Sequence, residues 1–293
     1  MLEFPGLDLL RRRTLDRALA TEKRMREVTV SSARVVCIAS GKGGTGKSVL
    51  ATNLAVLRAM RGERVLLVDF DAGLANDHLL LGLAPQFDLG HVVEGRVTVQ
   101  EALIEGPGGL RLLSGGVGRH ALANPTRRDL ERLFKALRPL ETQFDLIVVD
   151  HGAGVGYATL VHLAAASTML LVTSHEVTGL SDAYALYKRA RMINGSLRVG
   201  LVFNRVPDSA SADSAWDRFR SACQRFLAST PELVAYVPAD PQVLASIEQR
   251  EPVSTLAPNS PAARALTQVA KWPSLDFARS TTAFYERALK ALY

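Results

Sequence analysis

Residues Gly41 to Ser48 read G-K-G-G-T-G-K-S, and this stretch narrows the possible folds more than any other part of the chain. It fits the pattern G-x-x-x-x-G-K-[S/T], in which small residues let backbone N–H groups turn inward around phosphate oxygens. Before it, Val35 to Ala39 form a short apolar run of strand type. After it, Val49, Leu50, Asn53, Leu54 and Leu57 recur at helical spacing up to Gly62, a natural helix stop. A strand–loop–helix order sets bound phosphates at the positive end of a helix. The expected cradle is Gly41, Gly43, Gly44, Thr45, Gly46 and Val49, with Lys47 on the β- and γ-phosphates and the Ser48 hydroxyl on Mg²⁺. The alternative is a glycine-rich turn that binds nothing. One lysine suffices for a triphosphate, so Lys42 is available for a different task.

Two further apolar runs end in carboxylates. Arg64 to Asp71 reads R-V-L-L-V-D-F-D and Phe144 to Asp150 reads F-D-L-I-V-V-D. Ligands of open parallel sheets collect at the carboxyl ends of strands, so Asp69, Asp71 and Asp150 are expected to converge on the metal and the γ-phosphate. Asp150 takes the Walker B position, Asp71 orients the attacking water, and Asp69 supports the magnesium from behind. The alternative for Asp69 and Asp71 is that they only cap or start a loop.

The alternation continues along the chain. Strands are expected near Val35–Ala39, Val65–Phe70, Leu110–Leu113, Leu146–Val149, Met169–Thr173, Val199–Phe203 and Leu233–Val237, with helices between most of them. One of those helices runs from Asn124 to Leu137 with Thr126 as cap; another, Ser211 to Leu227, turns Trp216 and Phe219 inward. The fold class is three-layer α/β of P-loop type, a mainly parallel sheet covered on both faces. Its divisions are a basic arm (1–32), the P-loop domain (33–272) and a C-terminal amphipathic helix (273–293). With 293 residues and 47% hydrophobic content, a sizeable core is affordable. No apolar run approaches the ~18 residues that span a bilayer, and the start lacks a signal-peptide core, so a cytoplasmic protein is expected. Two cysteines, Cys37 and Cys223, make neither a disulfide framework nor a C-x-x-C pair, which excludes relatives built on cysteine pairs. Net charge +6 and pI near 9.5 imply weak attraction to anionic lipid or nucleic acid without choosing between them.

These motifs resemble the MinD/ParA family of deviant Walker A ATPases, whose loop is K-G-G-x-G-K-[S/T]. Further segments are similar to its flagellar-number branch, FlhG: D-F-D-A-G-L-A-N from Asp69, H-G-A-G from His151, T-G-L-S-D-A-Y-A-L-Y-K from Thr178, L-V-F-N-R-V from Leu201 and S-P-A-A-R-A-L from Ser260. The resemblance covers roughly residues 33 to 272. It implies ATP and Mg²⁺ as cofactors and an ATP-dependent homodimer in which Lys42 reaches the partner's phosphates, much as an arginine finger does. It places Asp182 at the dimer interface, Asn204 and Arg205 at the adenine, and Pro238 with Asp240 in the loop over the base. It also implies flagellar assembly proteins or a GTPase of signal-recognition-particle type as partners. That GTPase is addressed by an N-terminal D-Q-A motif, whose nearest match here is Asp16-Arg17-Ala18, a cation replacing the neutral amide. The surrounding Arg11, Arg12, Arg13 and Lys23 also read as an ordinary solvated face. Two other departures are His151, where threonine is usual, and His78, with Asp77 one position ahead of the usual aspartate. A histidine beside the γ-phosphate would make hydrolysis pH-sensitive; a neutral spacer would not.

After Pro273, a wheel of ~100° per residue sets Phe277, Thr281, Phe284, Tyr285, Ala288, Leu289 and Leu292 on one side and Arg279, Glu286, Arg287 and Lys290 on the other. Ser274 is the expected cap. Phe277, Phe284, Tyr285, Leu289 and Leu292 then form a face for the inner-membrane surface, weak in one copy and stronger in two. The same face also suits packing on its own domain. Two rival functions stay open: a ParA-type partition ATPase that binds DNA, and a small-molecule ligase or kinase on the same fold.

Overall fold

A computed structural model describes residues 33–71, 75–116, 125–276 and 282–293. The apolar runs become β1 (Arg34–Ala39), β2 (Val65–Phe70), β4 (Arg111–Leu113), β5 (Leu146–His151), β6 (Thr168–Thr173), β7 (Arg198–Val206) and β8 (Glu232–Pro238). Between β2 and β4 lies β3 (Ile104–Glu105), which the sequence reading did not anticipate because two residues carry no periodicity. The sheet order is β3-β4-β2-β5-β1-β6-β7-β8, parallel throughout except for the β3–β4 pair at the edge. In β2, β5 and β6 every residue is buried, as both-face coverage of a parallel sheet demands.

The helices that shape the site and its surroundings are α1 (Lys47–Ala59), α2 (Arg127–Leu137), α3 (Tyr157–Ala165), α4 (Val177–Ile193), α5 (Ser209–Leu227), α6 (Pro241–Gln249), α7 (Pro261–Val269) and α8 (Phe284–Ala291). Residues of α2, α3, α4, α5 and α8 form a core on one face of the sheet; α1 and α7 close the other. Local chemistry starts α2 where expected. The Thr126 hydroxyl accepts from Asp129 N at 3.2 Å while the Asp129 carboxylate accepts from Thr126 N at 3.0 Å. Phe219 of α5 is buried and Trp216 partly so.

At the base of the sheet, buried Arg58 of α1 joins Glu63 and Asp276, and Arg34 bridges the same two carboxylates at 2.6 and 2.8 Å. This pins the chain at Asp276. No described helix is long and apolar enough to cross a membrane.

The C-terminal segment starts its helix later than expected, and of its two readings the structure shows packing on its own domain. Pro273–Leu275 form a single 3-10 turn, and α8 begins only at Phe284. Its apolar face does not look outward: Phe284, Tyr285, Ala288 and Leu292 are buried and Leu289 is partly buried, against α3 and α2. Glu141, itself buried, accepts from Phe284 N and Tyr285 N at 2.7 Å each. One carboxylate thereby satisfies two orphan donors and sets negative charge at the positive end of the helix. An amphipathic stripe reads the same whether it meets lipid or protein; here protein covers it. Phe277 and the N-terminal arm, with Asp16-Arg17-Ala18, lie outside the described residues.

Candidate functional site

The Gly41–Ser48 loop leaves the carboxyl end of β1, the strand flanked by β5 and β6 in the middle of the sheet. Two contacts explain its glycines. A Cβ on Gly46, whose φ is +84°, would stand 2.1 Å from Asn204 Nδ2, and one on Gly41 would stand 2.3 Å from the backbone of Asp182. The loop is therefore clamped between the end of β7 and the start of α4. Asn204 Nδ2 donates to Thr45 O at 2.8 Å, and Arg205, itself at φ +58°, donates from Nη1 to Gly44 O at 3.4 Å. Both residues expected at the adenine thus hold the loop in this structure. Pro238 ends β8. Asp240 accepts from Gln242 N at 2.9 Å, starting α6, and from Ala262 N at 3.0 Å, tying this corner to α7. Burial works to raise the Asp240 pKa, but these N–H donors outweigh it and leave the group below its ordinary value.

The two loop lysines face different ways. Lys47 is buried and reaches Asp150 Oδ1 at 3.1 Å, while the Ser48 hydroxyl donates to Asp150 Oδ2 at 2.6 Å. Burial opposes charge on Lys47, yet the Asp150 carboxylate more than offsets it, so the ammonium is held above its ordinary pKa. Lys42 turns toward the start of α4, meeting Glu176 Oε2 at 3.2 Å and Thr178 Oγ1 at 3.1 Å.

Asp69 and Asp150 converge as expected because the β2–β5 register sets them side by side. Their third companion was missed. Carboxylate oxygens of Asp69, Asp77 and Asp150 lie within 4.8 Å of one another, whereas Asp71 stands outside this group, half-buried, next to Gly152. The reason is local: the N–H groups of Asp71 and Asp77 both donate to Asp69, at 3.1 and 3.2 Å, which holds Asp77 beside Asp69. The one available signal was the Asp77–His78 order, noted as a departure but not given a role. Burial and then the Asp150 charge push Asp69 up to about 7. Neither Asp77 oxygen has a hydrogen-bond partner. Hard oxygen donors with unfilled valence suit Mg²⁺, so the residues present fit the cation that the loop implies.

His151 follows Asp150 in β5, so its side chain leaves the opposite face of the strand; it is fully buried, with its ring centroid 4.9 Å from that of His162 and 6.0 Å from that of Phe70. Burial, then the neighbouring His162, drives its pKa well below the usual imidazole value, so it is a neutral core residue. His78 is half-buried and also lowered by burial. Both cysteines are buried and free.

Residues 36–253 match the family described as the CobQ/CobB/MinD/ParA nucleotide binding domain. The chain is 32% identical over 244 residues to the antiactivator FleN of Pseudomonas aeruginosa, covering 82% of this chain and 87% of that protein. It is 28% identical over 240 residues to the flagellum site-determining protein YlxH of Helicobacter pylori, covering 81% and 80%. Among solved structures it resembles the septum site-determining protein MinD with Mg-ADP from Pyrococcus horikoshii, with TM-score 0.69, 26% identity, and coverage of 82% of this chain and 95% of that one.

Proposed function

The chain belongs to the CobQ/CobB/MinD/ParA family of nucleotide-binding proteins, and from that premise we propose an ATP-dependent switch that pairs two copies of itself, hydrolyses ATP, and regulates the number or placement of flagella from the inner-membrane surface. The observation that carries the reading is the separation of the two lysines. Lys47 serves its own loop, while Lys42 sits on the rim, paired with an exposed carboxylate, a weak surface contact that exchanges readily for a phosphate on another copy. Around the same rim Val155, Tyr157 and Val177 are exposed, giving the apolar surface that self-association needs.

In this mechanism Lys47 would exchange Asp150 for phosphate oxygens in the loop, and Ser48 with Asp150 would hold the magnesium. Mg²⁺ held there would neutralise charge on the phosphoryl group. Asp71, at the edge of the pocket, accepts a hydrogen bond from the attacking water and orients it. The Lys42 of the second copy adds the cation that completes charge stabilisation, so assembly and turnover coincide. Release of α8 from its seat would give each pair two membrane-binding helices, and two weak contacts combine into a stable one. Similarity to FleN and YlxH supports the flagellar assignment.

Substituting Lys42→Ala is expected to abolish both ATP-dependent dimers, seen by sedimentation velocity, and phosphate release. Retention of both refutes the switch. Vesicles of anionic lipid should co-sediment with the ATP-loaded chain but not with a chain lacking residues 282–293. Sedimentation with duplex DNA in place of vesicles would favour the partition ATPase.

A further inference from the structure

At the end of the sheet opposite the Gly41–Ser48 loop, where β7 and β8 begin, lies a cavity of about 530 Å³. That volume is in the range of cavities that enclose small-molecule ligands. The last turns of α4, the start of β7, the link from α5 to β8 and the turn after α7 converge on it. Specific contacts hold this lining in place. Arg191 donates from Nη1 to Leu197 O at 3.0 Å, which fixes its guanidinium beside the start of β7, where Arg198 also lines the cavity. Tyr187 Oη and Ser229 Oγ share a hydrogen bond of 2.8 Å that ties α4 to the link before β8. Gly200 makes room for the indole of Trp272: a Cβ there would stand 2.7 Å from the ring.

The lining sets the guanidiniums of Arg191 and Arg198 against a single carboxylate, that of Glu232, and adds the hydroxyls of Ser229, Thr230 and Ser274. The surrounding sequence has the same bias, with no acid from Ala183 to Pro207 or from Arg218 to Pro231. Trp272, only 4% exposed, has an indole N–H without a hydrogen-bond partner. An unmet donor on a side chain that lines a cation-rich cavity calls for an occupant that carries acceptors.

We propose that this cavity binds an organic phosphate, a phosphate ester joined to an apolar body, with the anion on Arg191 and Arg198 and the apolar part against Trp272. Guanidinium forks match phosphate oxygens two at a time. The same chemistry belongs to a soluble ester and to the headgroup of an anionic phospholipid. Met192, Ile193 and Phe226, exposed in the last turns of α4 and α5, would serve the second. The site is separate from the nucleotide loop and stands or falls independently of the switch reading.

The test uses the full-length chain with its loop saturated by Mg-ADP, so that phosphate binding there is blocked. Benzyl phosphate is the probe, followed by tryptophan fluorescence, since Trp272 is one of two tryptophans in the chain. A saturable change is expected with benzyl phosphate and none with benzyl alcohol. Arg191→Gln and Arg198→Gln should each weaken binding about tenfold. Arg191→Lys, which keeps the charge and loses the fork, should recover part of that loss. Retained ATP hydrolysis in all three variants checks their folding. Displacement of the probe by phosphatidylglycerol vesicles, and not by phosphatidylcholine vesicles, assigns the cavity to a lipid headgroup; displacement by neither assigns it to a soluble ester. Benzyl phosphate that does not bind, or that binds the variants as tightly as the unaltered chain, overturns the proposal.

Discussion

Glu141 and Asp77 are both carboxylates taken wholly out of water, and the fold treats them in opposite ways. Glu141 has an oxygen on each of two backbone N–H groups of α8, so its charge is spent on architecture. Asp77 has no such partner and faces two other acids. A buried charge with its valences filled marks a joint; one with them empty marks a place where something arrives. The cations raise the same question: Lys47 is paired with Asp150 inside the pocket, whereas Arg58 at the base is closed in by both Glu63 and Asp276.

The sharpest way to break this contrast is at Lys47. If its pairing with Asp150 is a holding position for phosphate, Lys47→Ala lowers phosphate release by ~10²–10³-fold, measured at saturating ATP. An undiminished rate would place the residue with Arg58, as architecture. At the joint, Glu141→Ala leaves two buried N–H donors without partners and should destabilise the fold by about 2–4 kcal/mol in urea titration. Hydrogen exchange should then quicken across 284–291 while β1 and β5 stay protected. The effect that is smallest near neutral pH, and grows only in acid, concerns the histidines between the two regions. His162 is buried, and that burial lowers its pKa from 6.5 to about 3. The unfolded chain takes up this proton below about 6.5 while the folded one resists it. Stability is therefore complete above that pH and falls as the medium acidifies toward 3, by up to about 1.4 kcal/mol per pH unit. His162→Phe should make unfolding at pH 5 less sensitive to acid while changing little at pH 8. An unaltered pH slope would mean that His162 is protonated within the fold.

What could be read beforehand follows from the range of the interactions. Strands such as Val65–Phe70, helix starts such as Thr126 and the loop from Gly41 to Ser48 are written in contiguous residues, and each lies where its pattern put it. Asp77 was legible only as a transposed letter, because its place beside Asp69 depends on N–H contacts to that carboxylate that no periodicity announces. For α8, packing on its own domain was one of the two readings, but the seat itself was not legible, for a different reason. Its apolar stripe was seen, but its partners lie 143 residues away at Glu141 and on two other helices, and side-chain pattern does not name the surface it will meet. Asn204, expected at the adenine, has its amide on Thr45 O, a contact between residues 159 apart that no local pattern announces.

The clasp that Arg34 and Arg58 place on Asp276 gives the tail a fixed origin. From that point to the first turn of α8 at Phe284 the backbone can stretch no further than roughly 25–30 Å. Whatever α8 does, it does so within that radius of the Arg34–Arg58 clasp, so the same pair of arginines that closes the base of the sheet also bounds the reach of the last helix.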